Sequence, residues 1–102
     1  MLELRPACEN CQRLLPPQAT DAMICSFECT FCSDCVNGVL GNVCPNCAGG
    51  FAPRPIRPAH DWKGGNYLGQ YAASTKVKHR PVDPTTHAAF AASIRHIAPQ
   101  ER

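Results

Sequence analysis

Cysteine is the residue type that most constrains how this chain can fold. All eight cysteines of the 102-residue chain lie in one 40-residue stretch. They form four closely spaced pairs: Cys8 and Cys11, Cys25 and Cys29, Cys32 and Cys35, and Cys44 and Cys47. A short spacer lets both thiolates of a pair turn toward one ion, and four thiolates complete a tetrahedral zinc shell. The pattern therefore predicts two structural Zn²⁺ ions with no cysteine left over.

Metal binding would also explain how so short a segment folds. A stretch of about 40 residues buries too little apolar surface to be stable without metals or disulfides. Each structural zinc ion supplies on the order of 10 kcal/mol of folding free energy. Disulfides are one alternative and an iron–sulfur cluster is another, but the latter uses tighter cysteine spacing than this.

The expected cellular compartment is inferred from the lack of a signal peptide and of a membrane-spanning run in the sequence. The N-terminus carries the charged residues Glu3 and Arg5 and has no apolar signal-peptide core. No apolar run approaches the roughly 18 residues of a membrane span. We therefore expect a cytoplasmic protein with no membrane contact, in which thiols stay reduced and cysteine pairs hold metal.

The formal net charge of +2 hides two regions of opposite sign. Residues 1–50 carry five acidic and two basic residues, a balance of −3, whereas residues 51–102 carry eight basic and three acidic residues, a balance of +5. Each zinc ion with four thiolates adds −2. The metal-loaded segment would be near −7, which weakens the interpretation of a generally basic, nucleic-acid-binding protein.

Residues 1–50 are predicted to form the zinc module. Strand-forming residues over 22–31 predict a short β-hairpin, with Phe27 and Phe31 in a small core. After Cys35, Val36, Val39 and Leu40 share one face of a short helix that stops at Gly41. The fold class expected is a small zinc-stabilised α+β module followed by a C-terminal tail.

Prolines mark the end of this module. Residues 51–58 include Pro-Arg-Pro-Ile-Arg-Pro, which predicts an extended basic linker. Residues 59–102 form a basic, partly irregular tail with one alanine-rich helix over about 86–97, capped by Thr85 or Thr86. We expect its apolar stripe to pack on the module or on another chain. Four histidines are expected to be solvated: His60, His79, His87 and His96.

The spacing alone leaves two ways to share the ions. In a sequential arrangement the first four cysteines hold one ion and the last four hold the other. In a cross-brace, the first and third pairs share one ion, and the second and fourth pairs share the other. The separation of Cys29 from Cys32 fits either arrangement.

The cysteine pattern closely resembles that of the RING finger. Every spacer fits, the last pair reads Cys44-Pro45-x-Cys47, Phe31 precedes Cys32, and a short helix follows Cys35. The resemblance implies a cross-brace with a short β-hairpin and one short helix. It assigns one zinc ion to Cys8, Cys11, Cys32 and Cys35, and the other to Cys25, Cys29, Cys44 and Cys47.

A narrower resemblance covers about residues 2–58. The segments LELRPACENC, LPPQAT, ICSFECTFCSDCV and VCPNCAG are similar to small bacterial proteins catalogued as a domain of unknown function, number 1272. This resemblance implies a bacterial cytosolic protein and supplies no activity.

Three functions are compatible with these features. The first is a zinc-stabilised adaptor without catalytic activity that binds another protein in a groove lined by Asn10, Val39, Leu40 and Pro45. The second is a ubiquitin-ligase-like RING adaptor, although Asn10 precedes Cys11 where ligases usually carry a large aliphatic residue, and Ala48 follows Cys47 where they often carry a basic one. The third is nucleic-acid binding through the basic tail.

Overall fold

The computed structural model describes residues 1–102 and builds the cysteine-rich half on a three-stranded antiparallel sheet. The strands are β1 (Ala22–Ile24), β2 (Thr30–Cys32) and β3 (Ala52–Pro53), and β1 lies in the centre. Met23 lies opposite Phe31 and Ile24 lies opposite Ala52. The predicted β-hairpin is therefore present.

One helical segment follows the hairpin directly. Helix α1 spans Ser33–Cys35 and continues as a wide π-helical turn over Val36–Leu40. Gly41 ends this turn with φ of 60°, a left-handed conformation that glycine adopts at low cost. With the short sheet and the two groups of cysteines, this confirms the predicted class, a small cross-braced α+β module.

The core lies between the two groups of cysteines. Phe31 is buried and packs edge-on against Phe51, with ring centroids 5.5 Å apart. The prediction that Phe27 also belongs to the core is wrong, because its side chain is 66% exposed. Phe27 follows Cys25 in the tight turn, where its backbone N–H faces the Cys25 sulfur and its side chain points away.

The structure also differs from the predicted linker over residues 51–58. Ala52 and Pro53 form the outer strand β3, and Arg54 is buried directly after it. The Arg54 guanidinium donates to the carbonyl oxygens of Arg5, Leu15 and Pro16 at 2.9–3.1 Å. Proline is tolerated on an edge strand because one side of that strand needs no ladder hydrogen bonds. The proline-rich segment is thus the outer edge of the module.

The tail helix is shorter than predicted and begins earlier. Helix α2 spans Pro84–Ala91, and the Asp83 carboxylate caps it by accepting from the N–H groups of Thr85 and Thr86. The predicted cap at Thr85 or Thr86 is therefore wrong. Asp83 is the better cap because its oxygen reaches both orphan donors and Pro84 needs no partner at the first helical position.

The chain does not continue as a helix to Ile97. It leaves α2 through irregular turns and a short 3-10 helix at Pro99–Glu101. The Arg102 guanidinium then donates to the carbonyl oxygens of Asn42 and Ala48 in the cysteine-rich half. Reaching these two acceptors brings the C-terminus back onto the module, which a straight helix would not do.

The tail runs across the acidic side of the module before it reaches α2. Ser74 donates through its backbone N–H to Leu4 and through its hydroxyl to the Glu3 carboxylate. The Arg80 N–H donates to the Glu9 carbonyl oxygen at 2.7 Å. Hydrogen bonds from Arg5 and Ser74 lower the pKa of Glu3. The tail thus contacts the acidic side of the module through neutral hydrogen-bond donors.

We expect Arg54→Ala to destabilise the metal-loaded protein by roughly 2–4 kcal/mol, because it leaves buried carbonyl oxygens without donors. Urea-induced unfolding at saturating zinc would measure this. Arg95→Ala is the matched control: Arg95 is exposed, and its loss should change stability by less than about 0.5 kcal/mol. Equal effects of the two substitutions would show that Arg54 is not an anchor.

Candidate metal centre

Four thiols from three separate segments meet at the first cluster. The sulfur atoms of Cys8, Cys11, Cys32 and Cys35 all lie within 4.8 Å of one another. Cys8 and Cys11 come from the N-terminal turn, Cys32 ends β2, and Cys35 ends α1. The Cys11 and Cys32 sulfurs are 3.7 Å apart. A tetrahedral shell with Zn–S bonds of about 2.3 Å has edges of about 3.8 Å, so this spacing fits a zinc ion.

The second cluster lies on the other side of the core. The sulfur atoms of Cys25, Cys44 and Cys47 lie within 4.8 Å of one another. Cys29 falls outside this mutual limit, but it is buried in the same turn as Cys25, and its carbonyl oxygen accepts from the Cys25 N–H at 3.2 Å. Cys25 and Cys29 belong to the hairpin turn, and Cys44 and Cys47 to the last turn of the module. The thiols are thus grouped as a cross-brace groups them.

Hydrogen-bond donors point at several of these sulfurs. The bonds are Phe27 N–H to Cys25, Asn46 N–H to Cys44, Gly49 N–H to Cys47, and the Asn10 side-chain amide to Cys35, all at 3.3–3.4 Å. A thiolate accepts hydrogen bonds and donates none. This surrounding of donors therefore suits the deprotonated form that binds metal.

The two turns that supply paired cysteines share one backbone geometry. The residue after each pair, Gln12 or Ala48, has a positive φ of 63° or 65°. Each N–H of these residues donates back to the first cysteine of its pair, Cys8 or Cys44. The repeated geometry makes both thiols of each pair face the same point.

Burial works against ionisation of these thiols when no cation is present. Desolvation raises the pKa of Cys35 to about 12, although the Asn10 amide opposes the shift. Desolvation raises the pKa of Cys44 as well. A divalent cation at the centre of each cluster would offset this cost. No disulfide joins the eight cysteines, and 3.7 Å between Cys11 and Cys32 is far from a bond of about 2.05 Å.

The residues predicted to line a partner-binding groove are largely covered. The Asn10 side chain accepts from the Val82 N–H at 2.8 Å. The side chain of Leu40 is fully buried, and its carbonyl oxygen accepts from His87 Nε2 at 2.9 Å. Val39 is half-buried and Pro45 is exposed. The groove is therefore occupied by the chain's own tail.

His87 is the functional residue that the sequence analysis missed. It was predicted to be solvated, yet it is only 4% exposed. His60, His79 and His96 are exposed, as predicted. No local signal in the sequence marked it, because His87 and Ala91 share a helix face under either cap, and the contact with Leu40 decides that this face packs inward.

A solvent-accessible cavity of about 360 Å³ remains between the tail and the module. Its walls include the apolar side chains of Phe31, Pro45, Val82 and Phe90, together with Thr86 of α2. The docked tail therefore leaves an open space between itself and the module, next to Pro45 of the predicted groove.

Fold and thiol geometry together define a small cross-braced module with two cysteine groups that could hold metal ions, and zinc fits their donor set. Residues 1–57 match the family described as "Protein of unknown function (DUF1272)", so the chain belongs to that family. It is also 55% identical over 81 residues to an uncharacterized protein of Rhizobium meliloti (strain 1021), covering 79% of this chain and 89% of the relative. An alignment of that length extends past residue 57 into the tail. No solved structure matches the chain.

None of the helices has both the length and the apolar character needed to cross a membrane.

We expect two metal ions per chain, and paired substitutions should report which thiols share an ion. Cys11→Ser with Cys35→Ser removes two thiols of the first cluster and should leave one four-thiolate site. Cys11→Ser with Cys29→Ser removes one thiol from each cluster and should leave none. Cobalt titration, read from thiolate-to-cobalt charge-transfer absorption, measures the sites. A sequential arrangement would give the reverse result for the two variants.

Metal affinity should fall steeply on acidification. Burial raises the pKa of Cys32 and Cys35 in the first cluster, that of Cys35 to about 12, and the pKa of Cys29 and Cys44 in the second, so these thiols must lose a proton when they bind metal. Each ion must then displace at least two protons, so its affinity should fall at least about 10²-fold for each pH unit lowered. Competition with a chelating dye between about pH 6 and 8 measures the slope. A slope corresponding to fewer than two protons would mean that these buried thiols do not bind the ions.

Proposed function

We propose that the protein is a zinc-stabilised protein-interaction module that has no catalytic activity and works in the cytoplasm. Each cluster would hold one Zn²⁺ through four cysteines: Cys8, Cys11, Cys32 and Cys35 in one, and Cys25, Cys29, Cys44 and Cys47 in the other. A four-thiolate shell leaves no coordination position for water or substrate, which supports a structural role for the metal. Eight unpaired thiols suit a reducing compartment.

The observation that carries the interaction role is the surface between the two clusters. We refer to the surface formed by Asn10, Val39, Leu40 and Pro45 as the groove. It already holds a peptide segment, since Val82 and His87 of the tail bind its polar groups. Backbone groups that satisfy one segment can satisfy another with the same donors. The groove is therefore the best supported site for a protein partner.

Nucleic-acid binding is a second candidate because of one exposed feature of the tail. Trp62 is 79% exposed and is adjacent to Lys63 in a glycine-containing loop. Exposed aromatic rings beside basic residues can stack on unpaired bases. The remaining basic residues lie on a tail that contacts an acidic surface, which reduces the charge available to phosphates. The ligase-like alternative has less support, since Asn10 is engaged with Cys35 and Val82.

A photo-crosslinking amino acid at Pro45 tests the interaction role. Pro45 is exposed at the groove, so replacing it should leave the metal content unchanged. We expect a discrete protein adduct from host cells with the label at Pro45, and none with the label at exposed Gln18 in the Pro16-Pro17 loop. The same adducts from both positions, or none, would contradict the proposal. Leu40→Ala is unsuitable here because that side chain belongs to the core.

The two alternatives have direct assays with the purified zinc-loaded chain. A salt-dependent mobility shift of single-stranded RNA or DNA that is lost in Trp62→Ala would favour nucleic-acid binding. Ubiquitin-chain formation with a charged conjugating enzyme would favour the ligase-like alternative. We expect neither result.

A further inference from the structure

The groove holds residues 79–91 of the same chain, which we refer to as the docked segment. Its contacts resemble those of a bound peptide more than those of a domain core. The Arg80 N–H donates to the Glu9 carbonyl oxygen at 2.7 Å and the Val82 N–H to the Asn10 side chain at 2.8 Å. His87 Nε2 donates to the Leu40 carbonyl oxygen at 2.9 Å. The module thus contacts an extended stretch of the tail mainly through the backbone N–H groups of that stretch, and helix α2 follows it.

Few other forces hold the docked segment in place. All salt bridges of the protein lie within residues 3–34, so none joins the docked segment to the module. Only His87 and Ala91 of α2 are buried, while Phe90 is 46% exposed. Four hydrogen bonds, counting the one from His79 Nε2 to the Asn10 carbonyl oxygen at 3.2 Å, and the packed side chains of Val82, His87 and Ala91 form a displaceable attachment.

The cavity indicates what a better occupant would look like. About 360 Å³ remains open between the docked segment and the module, with Phe31, Pro45 and Val82 among its apolar walls. Thr86 lines this space from α2 with a short polar side chain. A large apolar side chain at the same position would remove more apolar surface from water without changing the backbone contacts.

We propose that the groove is a peptide-binding site and that the docked segment is its built-in, incompletely fitting competitor. The natural partner is a protein segment with a proline-containing extended stretch, an Asp-Pro helix cap and a large apolar residue where the tail has Thr86. This inference rests on the proposed interaction role. The partner must displace the tail, so its apparent affinity is reduced by the fraction of molecules in which the groove is closed.

A synthetic peptide of residues 78–92, added to the full chain, tests the proposal. The release variant carries Val82→Asp and His87→Ala, which remove the apolar contact of Val82 and the His87 hydrogen bond. We expect a labelled peptide to bind this variant at least tenfold more tightly than it binds the wild type, as measured by fluorescence anisotropy. A peptide with Thr86→Leu should bind the variant several-fold more tightly still.

Matched controls separate displacement from unfolding. His96→Ala removes an exposed histidine and should leave the peptide affinity at the wild-type value. A peptide carrying Val82→Asp and His87→Ala should not bind. Metal analysis must show the same metal content in every variant, and His87→Ala alone replaces the double change if that content falls.

Two results would overturn the proposal. One is equal affinity of the peptide for the wild type and the release variant. The other is the absence of binding to a release variant that retains its metal. A Thr86→Leu peptide that binds more weakly than the native peptide would overturn the assignment of the partner's chemistry. If the peptide fails but crosslinking at Pro45 still captures a protein, the interaction role stands and only the competitor role of the tail is wrong.

Discussion

The structure depends on the cost of gathering eight thiols, six of them buried, around two points. Desolvation opposes the ionisation of the buried thiols, and Cys35 and Cys44 show the effect most strongly. A divalent cation at each point would reverse that balance, because it would stabilise the thiolates that the N–H donors already surround. The small sheet and helix around the clusters bury too little apolar surface to replace this contribution. The arrangement of the thiols around two metal-binding points therefore determines the fold of this module.

Arginine side chains form the second layer of organisation. Arg54, Arg57 and Arg102 each donate to backbone carbonyl oxygens of segments far away in the chain. These bonds join the outer strand, the N-terminal lead-in and the C-terminus to the cysteine-rich half. A guanidinium carries five donors in one plane, so one side chain can satisfy several loop carbonyls at once. In a module with little regular structure, such bonds replace part of the missing sheet and helix ladders.

The tail and the groove show why a free surface cannot be inferred from a module alone. The groove residues were expected to face a partner, but Leu40 is buried in the core and Asn10 is bonded to the tail. The same chain fills the groove, because covalent attachment keeps the tail at a high local concentration near the module. A segment that binds through its backbone groups needs no regular spacing of apolar residues. The sequence of the tail therefore gave no periodic signal that it fills the groove.

The sequence by itself determined the close pairs of thiols that could hold metal, because cysteine spacing is local: a two- or three-residue spacer brings two thiols to one point whatever surrounds them. It also determined the hairpin, the turn after Cys35 and the burial of Phe31, which follow from side-chain pattern close to the cysteines. Only the tertiary structure decided that Arg54 is buried, that His87 closes the groove and that Phe27 points outward. These outcomes depend on contacts between residues tens of positions apart, where the free energy gained by satisfying buried carbonyl groups outweighs local preference.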